Sequence, residues 1–313
     1  MPPIRNPFIA GGPVPPERFI GRKPEISTIM SRLMASTVGS TAIHGEARIG
    51  KTSLLHYIQS DINQSEWGLE PKNYTFIYID CGIFNEASFA EFWQILHTGF
   101  KKFSTQENFI YPLNNIEELT NTKKLISRHQ RRLQKLKEMN ATSGLNTSPE
   151  VLNEIEDIEA EIENLQKQSI IEENTTLIVQ QLIENLANVQ HKLIILLDEF
   201  EIIISKSKPL LSILRTFANG ANIGLLISTQ KPLYALTSNI DLGGGQTFDR
   251  PFDHRNLGTL TKKEILTMID KHLWKTGITF GDDDTQFIWK ESAGHPFKAQ
   301  FTCSRLFERK LFG

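Results

Sequence analysis

One octapeptide constrains this chain more than anything else in it: GEARIGKT, running Gly45, Glu46, Ala47, Arg48, Ile49, Gly50, Lys51, Thr52. It fits the pattern GxxxxGK[ST]. Glycines at those two places let the backbone curl so that its N–H groups, together with a helix N-terminus, face an anion. The run before it, residues 41–44, is short and apolar, and residues 51–58 read as a helix. Strand, glycine loop and helix in that order form the setting in which this motif grips phosphate. The expectation is therefore ATP with Mg²⁺. Lys51 reaches the β- and γ-phosphates, Thr52 ligates the metal, and the backbone from Gly45 to Ser53 cradles the rest.

A phosphate loop needs an acidic partner, and LIILLDEFE supplies one. Asp198, at the end of an apolar run, is placed to hold Mg²⁺ through its water shell. Glu199 beside it is the natural base for orienting and deprotonating an attacking water. Glu201 reads as a solvated or capping residue.

Further strands are expected at residues 74–80, 193–197 and 223–228, each a continuous apolar run, with helices between them. Strands alternating with helices predict an α/β fold, a parallel sheet covered on both faces. The first residues, to about Glu17, are rich in Pro and Gly and are expected to run extended over the surface. Ile26, Ile29, Met30 and Leu33 then recur at helical spacing. After Gly258 the pattern is purely helical, with candidates at 262–273, 284–291 and 297–311, a small helical lid. The expected division is an ATPase core over residues 1–257 and the lid over 258–313.

An insertion of different character fills about residues 104–170. Charges from Lys123 to Lys137 are all basic, and those from Glu150 to Glu163 all acidic. Val151, Ile155, Ile158, Ile162 and Leu165 repeat at spacings of four and three, a coiled-coil seam. Leu125 or Ile126, Leu133, Leu136 and Met139 supply the facing side. Residues 140–149 form a polar loop, and Thr147 or Ser148, Pro149 and Glu150 make a helix start. Together these predict an antiparallel helical hairpin with oppositely charged arms; assembly with copies of itself or with a protein partner is expected to go through it.

Composition excludes several classes. With 39% hydrophobic and 22% charged residues over 313, the chain has an ordinary globular balance. A net charge of −2 gives no global pull toward nucleic acid, which stays the less favoured partner. Cys81 and Cys303, the only cysteines, read as small core residues, with no disulfide framework or thiolate cluster. The start lacks the pattern of a signal peptide, and no run approaches the ~20 apolar residues of a membrane span, so no membrane and a cytoplasmic address are expected.

Taken in order, RFIGRKPEI, GEARIGKTSLL, LIILLDEFE, LLISTQKPL, LGTLTKKE and AGHPF resemble the STAND-type ATPases. These belong to the AAA+ lineage near the origin-recognition ATPases and the NLR-like receptors. The resemblance covers nearly all of the chain except the hairpin. It implies that Phe19, Ile20, Gly21 and Arg22 form the base-binding edge, that Pro296 lies against adenine and His295 near the nucleotide, and that Thr229 senses the γ-phosphate. Relatives often carry Arg where this chain has Gln230. An arginine finger would then come from elsewhere, with Arg215 and Arg250 as candidates. The family's winged-helix region does not follow Gly313, so the chain is either a minimal ATPase or a fragment of a longer receptor.

Three functions follow as expectations. The leading one is a slowly hydrolysing ATP-driven switch that assembles with itself or partners in signalling or defence. The second is a DNA-associated ATPase, such as a transposition regulator or loader, motivated by the basic arm. The third is a nucleotide-stabilised scaffold without turnover.

Overall fold

The computed structural model describes residues 5–84, 89–101, 114–143, 149–168, 171–240, 242 and 247–312. Five strands form one sheet: β1 (Ser40–His44), β2 (Tyr74–Asp80), β3 (Lys192–Asp198), β4 (Ile223–Thr229) and β5 (Phe252–Asn256). Their order is β2-β3-β4-β1-β5, and every pairing is parallel. Helices described are α1 (Lys23–Leu33), α2 (Lys51–Ile58), α3 (Asp61–Glu66), α4 (Phe89–Lys101), α5 (Asn114–Ser143), α6 (Pro149–Gln168), α7 (Ile171–Asn188), α8 (Glu201–Lys206), α9 (Lys208–Ala218), α10 (Leu233–Thr237), α11 (Lys262–Leu273), α12 (Asp282–Ser292) and α13 (Pro296–Phe312).

The chain divides into two compact units, Met1–Thr105 with Leu186–Gly313, and Gln106–Asn185. In the first, the central strands β3 and β4 are buried almost throughout, which is why their sequences are unbroken apolar runs. One face of the sheet packs on α1 and α2 through Ile26, Ile29, Met30, Leu33, Leu54 and Ile58. The amphipathic α9 buries Leu210, Leu211, Leu214 and Phe217.

Helices α11, α12 and α13 enclose a separate apolar cluster of Ile265, Met268, Ile269, Ile288, Cys303 and Phe307. A capping box starts α11: the Thr261 hydroxyl accepts from the Glu264 N–H, and the Glu264 carboxylate accepts from the Thr261 N–H at 2.8 Å.

The structure departs from the sequence reading in three places here. Strand β5, FDHRN, was not expected. It is an edge strand in which only Phe252 is buried, so it lacks the apolar run that marks β3 and β4. The N-terminal segment is no plain surface strand: Phe8 is buried in the lid cluster, ring-stacked on His272 and Phe280 and edge-on to Phe307. Helix α5 continues through Ser143, so Asn140–Ser143 is helix rather than loop, because Asn, Ala, Thr and Ser are tolerated where an established helix propagates. Residues 144–148, with the expected cap at Thr147 or Ser148, lie outside the described residues.

In the second unit α5 and α6 pack as a hairpin. Six backbone steps from Ser143 to Pro149 span at most on the order of 20 Å, too short to carry the chain back along the roughly 30 Å of a 20-residue helix, so the two run antiparallel. Leu136, Ile155, Ile158 and Ile162 form the seam, flanked by Leu133 and Val151. Ile126 rather than Leu125 is buried, and Met139 is exposed rather than part of the seam. Arg132 pairs with Glu154, Lys137 with Glu159 at 2.6 Å, and His129 with Glu161 at 3.7 Å. These pairs join the basic and acidic arms. The Leu165 side chain lies outside the described residues.

Candidate nucleotide site

The loop from Gly45 to Gly50 leaves the C-terminal end of β1 and enters α2. Its two glycines do different work. Gly50 has φ +100, a left-handed conformation that only glycine adopts without strain. Gly45 needs no special φ; a Cβ there would lie 2.6 Å from the Leu257 carbonyl oxygen, where the chain leaving β5 crosses the loop. Between them Arg48 also takes a positive φ of 62°, a strained value for a residue with a Cβ.

The loop walls a cavity of about 350 Å³, within the few hundred Å³ usual for small-molecule sites. Ala47, Arg48, Ile49, Gly50, Lys51, Thr52 and Ser53 line it, whereas Gly45 and Glu46 stand behind the lining. The Lys51 ammonium donates to the carbonyls of Gly45 at 2.8 Å and Glu46 at 3.0 Å. Burial lowers its pKa from the ordinary lysine value, and the carboxylates Glu201, Asp198 and Glu199 oppose that shift.

Strand β3 delivers the acidic side. Asp198 is buried and held from both oxygens: Tyr78 donates its hydroxyl to Oδ2 at 3.0 Å, and Ser228 donates its hydroxyl to Oδ1. The Glu199 N–H adds a bond to Oδ1 at 3.2 Å. Neighbouring strands thus set the aspartate's orientation, and the sequence reading had not singled out the Tyr78 hydroxyl. Glu199 lies at φ 51°, a left-handed value that costs a non-glycine residue on the order of 1 kcal/mol. Partial burial, then Asp80, Asp198 and Glu201, raise its pKa above the usual carboxylate range, against Lys51.

Glu201 is a correction. It is half-buried and lines the cavity rather than pointing to solvent. Its Oε1 accepts the Gln230 N–H at 3.2 Å, and its Oε2 is buried without a hydrogen-bond partner. At the start of α8 its side chain folds back beneath the end of β4, a direction that helix-cap chemistry alone does not reveal. Thr229 reaches the cavity wall, with its hydroxyl donating to the Lys231 carbonyl at 2.7 Å.

The remaining wall comes from the N-terminal segment, with Ile9, residues 11–14, Arg18, Phe19, Ile20 and Arg22, and from the lid, with Leu260, Met268, Pro296, Phe297 and Gln300. Phe19 stacks on Tyr57 at 4.7 Å. Arg22 is buried, and its guanidinium donates to the Ile49 carbonyl at 3.1 Å while pairing with Glu25 at 3.5 Å, so it braces the phosphate loop from behind. Its backbone N–H donates to Glu264 at 2.8 Å, tying this box to the lid's capping carboxylate. A Cβ on Gly21, at φ +77, would meet that same carboxylate at 2.4 Å; Gly21 itself does not line the cavity. Nor does His295, which is half-buried with Nδ1 unpartnered. Arg48 and Phe297 both line the cavity, and the Arg48 guanidinium lies 4.4 Å from the Phe297 ring centre, a cation–π contact between the glycine loop and α13.

Two hard oxygen donors, the Thr52 hydroxyl and the Asp198 carboxylate, share this cavity. That is the donor set Mg²⁺ takes from a protein while keeping most of its waters. The residues present therefore fit the ion.

The chain aligns with the Walker-type ATPase paby2304 of Pyrococcus abyssi at a TM-score of 0.55 and 14% identity, over 97% of this chain and 73% of that one. The fold is that of a P-loop AAA+ ATPase. Aeropyrum pernix ORC2, in its ADPNP–ADP complexes, aligns at 0.54 and 15% over 94% of this chain, and Drosophila ORC bound to DNA at 0.51 and 12% over 95%. The chain spans 63% and 57% of those two proteins, less than two thirds of either. Comparison with protein families and with curated proteins finds no match. At these identities the likeness establishes the AAA+ fold, and the chemistry has to be argued from the cavity. Among the described residues no helix is long and apolar enough to cross a membrane.

Proposed function

We propose that this chain is a STAND-type ATP switch: it binds ATP and Mg²⁺, hydrolyses slowly, and assembles with copies of itself. The observation that carries the reading is the composition of the cavity wall. Phosphate loop, β3 carboxylates and lid residues Pro296, Phe297 and Gln300 all contribute to it. A ligand whose terminal phosphate touches both core and lid binds the closed arrangement better than the open one, and that difference drives a two-state closure.

Lys51 and the loop N–H groups would hold the phosphates, with Thr52 and Asp198 holding the metal. Bound Mg²⁺ would neutralise charge on the phosphate oxygens. Glu199, with its raised pKa, accepts a proton from water near neutral pH better than an ordinary carboxylate does. Thr229 ends β4 at the same wall, with Gln230 after it, and Thr229 would sense the terminal phosphate.

Assembly enters through Arg250. All five strands are parallel and the phosphate loop follows the C-terminal end of β1, so the turn before β5 lies at the opposite end of the sheet. Arg250 is exposed in that turn, whereas Arg215 on α9 is half-buried with its Nε enclosed. An exposed arginine at the far end cannot serve its own cavity, but it can complete a neighbour's. A finger arginine supplied between subunits is worth orders of magnitude in rate.

The test is sedimentation with ATP, with ADP and without nucleotide, beside Lys51→Ala. Larger assemblies with ATP alone, abolished by Lys51→Ala, support the switch. One unchanging mass in all conditions, with ATP bound, refutes self-assembly.

A further inference from the structure

Among the lid residues that line the cavity, one carries a polar side chain. Gln300, on α13, is 4% exposed and lines the cavity beside Leu260, Met268 and Pro296. Its Oε1 accepts the backbone N–H of Ile9 at 3.0 Å. An N–H can donate only to the amide's oxygen, so this bond fixes which way the side chain faces. Its Nε2, a donor of two protons, has no hydrogen-bond partner among the described residues. A donor without a protein acceptor on the wall of a ligand cavity is available to an acceptor on the ligand.

The orientation is held from both sides. Asn6 donates through Nδ2 to the Ser304 hydroxyl at 2.8 Å and to Glu308 at 3.0 Å, and Phe8 is seated in the lid cluster. Further along, the Val14 N–H donates to the Ser53 hydroxyl at 3.0 Å. Residues 6–14 therefore form a strap from lid to phosphate-loop helix, and Ile9 presents its N–H at a fixed place along it.

The rest of the wall decides what the donor meets. Its carboxylates, Asp198, Glu199 and Glu201, all sit at or just beyond the end of β3, where the proposed metal and phosphates would lie. No acidic lining residue comes from the lid or strap. Guanine also offers acceptors, at O6 and N7, but it adds N–H donors at N1 and the 2-amino group that no acidic side chain of the lid or strap is there to accept. Adenine offers ring-nitrogen acceptors. We propose that Gln300 is the base-reading residue of the site, its Nε2 donating to a ring nitrogen of adenine while Ile9 locks the amide. The proposal rests on the nucleotide-binding reading above.

Gln300→Glu separates reading from structure: the carboxylate still accepts the Ile9 N–H, but the donor facing the cavity is lost. Binding of ATP and ADP is measured by calorimetry at pH 8, with Lys51→Ala alongside and melting curves without nucleotide. The expected result is a loss of at least about tenfold, equal for ATP and ADP, with a lower melting temperature because a carboxylate now occupies a site only 4% exposed. Wild-type protein titrated with 1-, 3- and 7-deaza-ATP gives a measurement independent of any variant's folding. One analogue, lacking the accepted nitrogen, is expected to bind at least about tenfold more weakly than ATP. Gln300→Glu binding ATP like wild type, or all three analogues binding like ATP, overturns the proposal. Wild-type protein that binds no ATP, or Lys51→Ala that binds as wild type does, overturns the nucleotide reading and this inference with it.

Discussion

Replacing Tyr78 with Phe tests how the buried aspartate is held. The Tyr78 hydroxyl donates to Asp198 Oδ2 at 3.0 Å. Burial, then the adjacent Asp198, keep that hydroxyl protonated by raising its pKa. Hydrogen bonds to a charged group contribute about 1.5–3 kcal/mol. Tyr78 is only half-buried, and Ser228 and the Glu199 N–H continue to serve Oδ1, which places the loss at the low end, about 1.5 kcal/mol. The ring itself stays, edge-on to His56 at 4.8 Å, so no cavity contributes. For a unit of this size that corresponds to a melting temperature lower by about 3–6 °C. Urea denaturation of Tyr78→Phe, Asp198→Ala and the double variant isolates the pair. In the Asp198→Ala background the Tyr78 change should cost almost nothing. If Tyr78→Phe matches wild type, or costs the same whether or not Asp198 is present, the reasoning is wrong.

Phe8→Ala removes a buried ring from the lid cluster and should cost about 3 kcal/mol; limited proteolysis should then cut the strap near residues 9–14, and an uncut strap would show it is held otherwise. In the hairpin, Ile158→Ala should cost about 2–3 kcal/mol because the side chain is buried in the seam. Lys137→Ala should cost less than about 0.5 kcal/mol, since its pair with Glu159 is half-exposed; denaturant melts giving the reverse ranking would mean that charge holds the arms together. The raised pKa of Glu199 means its charge is disfavoured by folding, so that penalty is present above the raised value and fades as pH falls through it toward the ordinary one. Glu199→Gln should therefore melt higher than wild type at pH 8, with the gap closing by pH 4; a constant gap would contradict the assigned shift.

What the sequence disclosed and what it hid follow from burial. The central strands and α2 were legible because a strand covered on both faces must be apolar throughout, as Leu193–Leu197 is. The phosphate loop was legible because its geometry demands particular residues. Strand β5 was not, since an edge position lets Asp253, His254 and Arg255 face outward or sideways. The strap was misread because its prolines and glycines signal irregular backbone, which says nothing about where a lone Phe8 is buried. Tyr78 and Gln300 were passed over, and Glu201 was read as solvated or capping, for one shared reason. Each acquires its role from a partner distant in sequence, and no spacing rule announces a hydroxyl that orients Asp198 from the next strand.

Subunit mixing tests the central claim most directly. Arg250→Ala keeps its own Glu199, and Glu199→Gln keeps its own Arg250, so each variant should be nearly inactive alone. If the cavity is completed by a neighbour's arginine, an equimolar mixture should recover a substantial fraction of wild-type ATP turnover, rising with protein concentration. A mixture no more active than its parts, or Arg250→Ala turning over like wild type, would contradict an active site built between subunits.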